Sequence, residues 1–304
     1  MAHGTKFVIY AALIGNGLIA VTKFIAATFT GSAAMMAEGI HSVVDTGNQG
    51  LLLYGMKRAK RPADEQFPFG HGKEIYFWSF VVAIMVFAVG AGVSIYEGVH
   101  RVLHPEPITD PFINYIVLAL AAAFEGVAWW FAWRAFRGQM RGRGLAAAVR
   151  ASKDPTLFVV LFEDSAALLG LLVAAIGLTL SQVLSLPVFD GIASIGIGCI
   201  LAGTAIWLAV RTKSLLIGEA ASPELVADVH ARAAALPAVE HVNEVLTLHM
   251  GPNHVLLTIS VDARNDLPAG DLEQAIEMLT REIKAAHPDV GRVFIEVEAS
   301  RPDG

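Results

Sequence analysis

The chain has 304 residues, of which 55% are apolar and only 16% are Asp, Glu, Lys or Arg. Soluble domains carry roughly 25% charged and about 45–50% apolar residues, so this balance excludes a disordered chain, a nucleic-acid-binding domain and an ordinary soluble enzyme. Charge is also unevenly placed: residues 1–213 hold 16 basic and 13 acidic side chains (net +3), and residues 214–304 hold 6 and 15 (net −9). The split predicts a membrane domain over 1–213 and an aqueous domain over 214–304. A single cysteine, Cys199, leaves no disulfide framework and no cysteine-based metal site.

A hydrocarbon core of ~30 Å is crossed by about 20 helical residues. Six stretches qualify, roughly 7–29, 33–56, 76–102, 112–136, 157–181 and 188–210, which predicts an all-α, six-helix membrane domain. The first is too long for a signal-peptide core and is followed almost at once by the second, so it reads as a helix. Basic residues crowd one set of connections. Lys6 precedes the first span, and Lys57, Arg58, Lys60, Arg61 and Lys73 follow the second. Arg134, Arg137, Arg141, Arg143, Arg150 and Lys153 follow the fourth, and Arg211 and Lys213 follow the last. The other side holds only Arg101, so both termini are expected in the cytoplasm. Lys23, near the outer end of the first span, is expected to snorkel to that interface. Gly170, Gly177, Gly191, Gly196 and Gly198 permit close helix contacts. The first span begins near Phe7 without a targeting extension, which favours the inner (plasma) membrane of a bacterium over an organelle.

In the tail, Ser222-Pro223-Glu224 starts a helix that should run to about Leu236 and stop at Pro237. His241–Met250 and His254–Val261 alternate as strands around the turn Gly251-Pro252-Asn253. Asp271–Ala286 is an amphipathic helix with Leu272, Ile276 and Leu279 on one face, and Val293–Val297 is a last strand. The order αββαβ makes a small open-faced α/β sandwich, marginal alone at about 85 residues. Pairing with a second copy would stabilise it.

An ionised side chain at the centre of a membrane helix costs at least ~2.5–3.5 kcal/mol, so each one needs a reason. The second span carries Glu38, His41, Asp45 and Asn48, at spacings that share one helical face. His41 and Asp45 are one turn apart, so an imidazole nitrogen and a carboxylate can meet the same cation. The fifth span carries Glu163-Asp164, and the fourth carries Glu125 between Phe124 and Trp129-Trp130. Imidazole suits zinc, cobalt, nickel and iron, whereas carboxylates alone favour magnesium, calcium or manganese. One His with two or three carboxylates is a four-coordinate set of the zinc type. Only neutral His ligates, so binding displaces protons. The plain alternatives are a hydrogen-bonded structural pair for His41 and Asp45, and a structural carboxyl for Glu125. Glu97 and Asp190, near span ends, suit helix-end roles. No His-Glu-x-x-His and no Gly-x-Ser-x-Gly is present, which speaks against an intramembrane metalloenzyme.

Ala37-Glu38-Gly39-Ile40-His41-Ser42-Val43-Val44-Asp45, Phe69-Gly70-His71-Gly72-Lys73, the six spans and the αββαβ tail together resemble the cation diffusion facilitator family over nearly the whole chain. Asp45-Thr46-Gly47-Asn48-Gln49, Gly90-Ala91-Gly92-Val93-Ser94-Ile95-Tyr96, His104-Pro105-Glu106-Pro107-Ile108, Glu125-Gly126, Ser152-Lys153-Asp154-Pro155 and Glu163-Asp164-Ser165-Ala166-Ala167 resemble its zinc transporter nine branch. The resemblance implies a membrane all-α six-helix transporter domain plus a C-terminal cytoplasmic, metallochaperone-like αββαβ domain. It implies a homodimer in the lipid bilayer that exports a divalent transition metal, zinc first, in exchange for protons. No cofactor beyond the transported ion, no enzyme activity and no nucleic-acid partner are implied. Manganese, iron, cobalt or nickel exchange, or a non-transporting metal-sensing regulator, are the alternatives.

The resemblance also implies a transport site of His41, Asp45 and Asp164. The family's remaining fifth-span ligand falls at Val160, which cannot ligate. Glu163 is expected to replace it, with Asn48 as an alternative oxygen donor, and Glu125 and His41 are expected to carry protons. Asp64 and His71 match a second family site in the 57–75 loop, where Phe67 occupies the middle position. In the tail, His230, His249, His254, His287 and Asp289 fit no compact ligand motif and are expected as solvated surface residues.

Overall fold

The computed structural model describes residues 2–108, 110–138, 140, 142 and 144–299. Arg141 and Arg143, counted above among the inner-side basic residues, lie outside the described residues, as does the side chain of Lys6. The chain forms two compact units, Met1–Lys57 with Ile75–Lys213, and Arg58–Glu74 with Ser214–Gly304.

The first unit is helical. Its elements are α1 (Ala2–Thr30), α2 (Ala33–Arg58), α3 (Glu74–Met85), α4 (Gly92–Leu103), α5 (Pro111–Arg137), α6 (Leu145–Ala151), α7 (Pro155–Leu184) and α8 (Val188–Ile217). A π-helical segment, Val86–Ala91, joins α3 to α4 in one continuous rod. Among the described residues, four stretches are long and apolar enough to cross a bilayer: Glu74–Leu103, Pro111–Arg137, Pro155–Leu184 and Val188–Ile217. α1 and α2 occupy the other two expected stretches. α2 carries Glu38, His41, Asp45 and Asn48 within its 26 residues, and these polar groups dilute its apolar character. The π-helical segment and the short α6 are additions that the apolar pattern does not reveal.

Outward faces are apolar, as a helix bathed in lipid requires. Leu18, Val21, Ile25 and Phe29 of α1 are exposed at helical spacing, as are Phe112, Ile116, Leu120, Phe124 and Val127 of α5. Inward, α4 and α8 meet backbone to backbone. A Cβ on Gly98 would stand 2.7 Å from the Gly191 carbonyl oxygen, and Ser194 Oγ donates to the Ser94 carbonyl at 2.8 Å. Small residues allow this approach.

Helix starts follow local chemistry. Asp154 caps α7 by accepting from Thr156 N at 3.0 Å, with Pro155 in the first turn. The start of α2 is capped from another helix. Buried Asp190 of α8 accepts from Ser32 Oγ at 2.6 Å and from the backbone N–H groups of Ala33 and Ala34. Helix N-termini leave such donors unsatisfied, so the expected helix-end role of Asp190 takes the form of a cross-helix cap.

The second unit has the expected order: α9 (Pro223–Ala234), β1 (Val239–Gly251), β2 (His254–Ala263), α10 (Ala269–Ala286) and β3 (Val290–Val297). Ser222 Oγ caps α9 through Leu225 N at 3.3 Å. The sheet runs β1-β2-β3, with the first pair antiparallel and the second parallel. Val255, Leu257, Ile259 and Val261 of β2 point to one face, where Val229 and Ala233 of α9 and Leu279 and Ile283 of α10 cover them. The opposite face leaves Leu246 and Phe294 exposed.

The segment Arg58–Glu74 packs within this unit. The Phe69 and Phe294 rings lie 6.5 Å apart, and the Arg292 guanidinium sits 5.9 Å over Phe69. Gly72 and Gly251 touch so closely that a Cβ on Gly251 would be 3.2 Å from Gly72 Cα. Arg58 and Glu74 close the segment with a 2.8 Å ion pair.

Candidate metal site in the helical unit

His41, Asp45, Asn48, Glu125, Glu163 and Asp164 are all buried, none more than 3% exposed. Three helices supply them. On α2, the one-turn spacing sets His41 Nδ1 3.4 Å from Asp45 Oδ1. Between helices, Asn48 Nδ2 donates to Glu163 Oε1 at 2.9 Å, so the Glu163 side chain does extend from α7 to α2. Asp45 lies within electrostatic reach of Glu163, Glu125 and Asp164, and Asp164 within reach of Glu125 and Glu163. Trp129 Nε1 donates to Ser165 Oγ at 2.9 Å and ties α5 to α7 beside the cluster. Val160 is buried and apolar.

Most of these groups lack protein partners. Both imidazole nitrogens of His41, both carboxyl oxygens of Asp45 and of Glu125, and Asp164 Oδ2 make no hydrogen bond among the described residues. Buried polar atoms are ordinarily satisfied, and leaving them bare in an apolar interior is costly. Such a cluster favours a cation or protons. As they stand, no three His, Cys, Asp or Glu side chains among the described residues enclose a metal position. The ligand-type groups therefore form a loose shell, with Asn48 holding one oxygen of Glu163.

Lys23 departs from expectation. It does not snorkel; it is fully buried, with Nζ 2.9 Å from Glu38 Oε2 and 2.9 Å from Ser42 Oγ. Glu38, on the polar face of α2, is close enough to compete with the interface for the ammonium. A lysine inside an apolar run is itself a signal that a buried carboxylate waits for it.

In the 58–74 segment, His71 Nε2 lies 2.9 Å from Asp64 Oδ2, while Asp64 Oδ1 accepts from Phe67 N at 2.7 Å. The Phe67 ring packs 4.6 Å from the His71 ring, centroid to centroid. The His71 hydrogen bond, aided by the Phe67 backbone, holds the Asp64 carboxyl below its usual range. Asp64 thus holds one ring nitrogen of His71, with an aromatic ring beside the pair, while His71 Nδ1 makes no hydrogen bond among the described residues. In the tail, His287 Nε2 bonds Asp228 Oδ2 at 2.7 Å. Arg232, then His287, holds that carboxyl low. His249 was expected in solvent but is buried, because it falls on the covered side of β1, with Nδ1 3.3 Å from the Gly251 carbonyl. His230, His254 and Asp289 do not join these pairs in any three-residue metal cluster among the described residues.

Comparison with known proteins bears on this arrangement. The cation efflux transmembrane domain family matches residues 9–217. The chain belongs to the cation efflux, or cation diffusion facilitator, family. It is 32% identical over 289 residues to the human "Proton-coupled zinc antiporter SLC30A9, mitochondrial", covering 92% of this chain and 51% of that protein. It is 33% identical over 211 residues to "Metal tolerance protein C4" of Arabidopsis thaliana, covering 69% of this chain and 46% of that protein. It is 25% identical over 274 residues to "Cation-efflux pump FieF" of Escherichia coli, covering 88% and 86%. The chain thus spans about half the length of the zinc antiporters it matches. Membership makes it a multi-pass membrane protein of a cation-transporting family and not an enzyme.

Proposed function

We propose that this protein is a proton-coupled antiporter that exports a divalent transition metal, with zinc as the preferred ion. The observation that carries the reading is the pairing, on one buried face of α2, of a His41 imidazole and an Asp45 carboxyl that make no hydrogen bond among the described residues. His41, Asp45 and Asp164 supply the ligands, and Glu163 completes the set when it exchanges Asn48 for the metal. Imidazole in the set supports zinc over magnesium or calcium, and relatives named as proton-coupled zinc antiporters support it independently. Manganese, iron, cobalt and nickel are the competing ions.

In this reading six rods cross the bilayer: α1, α2, α3 with α4, α5, α7 and α8. Both termini face the cytoplasm of a cell inner membrane, on the strength of the lysine and arginine distribution. Residues 1–213 form the transport domain and residues 214–304 the aqueous domain. Rocking of the helices exposes the site to each side in turn. Protons arriving at His41 and Glu125 from outside displace the ion, because protonated imidazole no longer ligates. Exposed Leu246 and Phe294 on the uncovered sheet face support homodimerisation through the tail.

The test is zinc flux in proteoliposomes under an imposed pH gradient, against manganese, iron, cobalt and nickel. Wild type is expected to accumulate zinc in proportion to the gradient, and Asp45→Ala to lose that flux. Metal binding without flux in wild type would instead identify a metal-sensing regulator.

A further inference from the structure

The scheme above leaves one buried ion pair without a role. Lys23 of α1 and Glu38 of α2 are both fully buried, 2.9 Å apart. The ammonium also donates to Ser42 Oγ at 2.9 Å. Glu38 and Ser42 are one turn apart on α2, so the ammonium bridges that turn, and Ser42 directly follows His41 and precedes Asp45 by three residues. The second Glu38 oxygen is seated against Gly170 of α7, where a side chain would strike it. The ammonium thus holds one carboxylate oxygen, and the other, which makes no hydrogen bond among the described residues, fits because position 170 has no side chain.

The pair is neutral in sum, but its ends are not equivalent. The ammonium acts electrostatically on His41, Asp45 and Glu125, the groups that bind metal and protons in the proposed scheme. Its carboxylate partner opposes it at Glu125, whereas at His41 and Asp45 the ammonium is the member of the pair that acts. The α2 members of the cluster therefore face the ammonium, which is bonded to Ser42 next to His41. A like charge held near a cation site weakens binding there, and in a low dielectric the effect is large. A transport site has to bind firmly enough to load and loosely enough to discharge.

We propose that Lys23 is a positioned, affinity-setting cation: through its field at His41 and Asp45 it holds metal binding in the range that permits release. This rests on the transport reading of the same site. Removing both charges together avoids leaving an orphan carboxylate. The experiment compares wild type with Lys23→Arg, Lys23→Met/Glu38→Gln and Lys23→Gln/Glu38→Gln, the last retaining a hydrogen-bonded pair if the apolar version folds poorly. Equilibrium zinc binding of the full chain in micelles is read alongside KM and maximal flux in proteoliposomes.

The neutral pairs are expected to bind zinc about tenfold tighter, with a lower KM and a lower maximal rate. Lys23→Arg should stay within about twofold of wild type, since it keeps the charge. Unchanged or weaker zinc binding in the neutral pairs overturns the proposal, and so does an Arg variant that behaves like them. Wild type without zinc binding, or Asp45→Ala that binds and transports normally, overturns this inference together with the transport reading. Loss of zinc flux in Asp45→Ala beside unaltered zinc binding in the neutral pairs overturns the Lys23 role alone.

Discussion

Asn48 of α2 donates a 2.9 Å hydrogen bond to Glu163 of α7. It joins the two helices that carry ligand-type groups, and it occupies one of the oxygens that metal would need. Deleting a ligand or its close support typically lowers metal affinity by about 10–100-fold. Glu163→Ala is expected to reduce zinc flux at subsaturating metal by that factor, whereas Asn48→Ala, which frees a Glu163 oxygen that metal must otherwise win from the amide, should change it by less than about threefold. Proteoliposome flux at several zinc concentrations measures both. Normal transport by Glu163→Ala would remove Glu163 from the site.

Glu125 brings two unpartnered oxygens from α5 into reach of Asp45 and Asp164. Glu125→Gln keeps the shape and removes the titratable proton. Zinc should still move down its own gradient, but an imposed pH gradient should no longer drive accumulation. Intact coupling in this variant would assign the proton elsewhere.

Gly98 packs against Gly191, and an added methyl would meet the Gly191 carbonyl and Ile195 N at 2.7 Å. Backbone does not yield as a side-chain tip would. Gly98→Ala is expected to destabilise the helical unit by about 1–3 kcal/mol, the usual range for overpacking, while Gly203→Ala, with nothing near its Cβ position, should be neutral. Thermal unfolding in micelles compares them.

Asp64 and Asp228 are carboxyls held below their usual range by hydrogen bonds in the folded chain. A depressed folded value means stability that is present above the unfolded value, about 3.9 for Asp. It is lost as pH falls through the lower folded value. Acid melts of the second unit should therefore steepen below about pH 4. Asp64→Asn should flatten part of that slope and leave the melting temperature near pH 7 lower than in wild type. Circular dichroism melts between pH 3 and 7 provide the test.

Much of the architecture was legible because apolar runs and caps are local. Asp154-Pro155 and Ser222-Pro223 mark the starts of their helices, and alternation around Gly251-Pro252-Asn253 marks β1 and β2. The polar face of α2 was legible because helical spacing brings His41, Asp45 and Asn48 together without reference to any other element. What crosses between elements was not. The apposition of Lys23 and Glu38 depends on how α1 and α2 align, and that of Gly72 and Gly251 joins distant parts of the chain. The reach of Glu163 to Asn48 depends on a side-chain direction that its position beside Asp164 leaves open. The π-helical turn at Val86–Ala91 lies in an uninterrupted apolar run, where no pattern sets it apart.

The cap that Asp190 places over Ser32, Ala33 and Ala34 carries a mechanical corollary. Sliding α2 along its axis past α8 would strand three buried donors at once, whereas tilting it about that end would not. The two helices are yoked at one extremity, like the leaves of a hinge. A motion of α2 against α8 that keeps this cap is a swing about the pin, widest at the far end of α2, rather than a piston stroke.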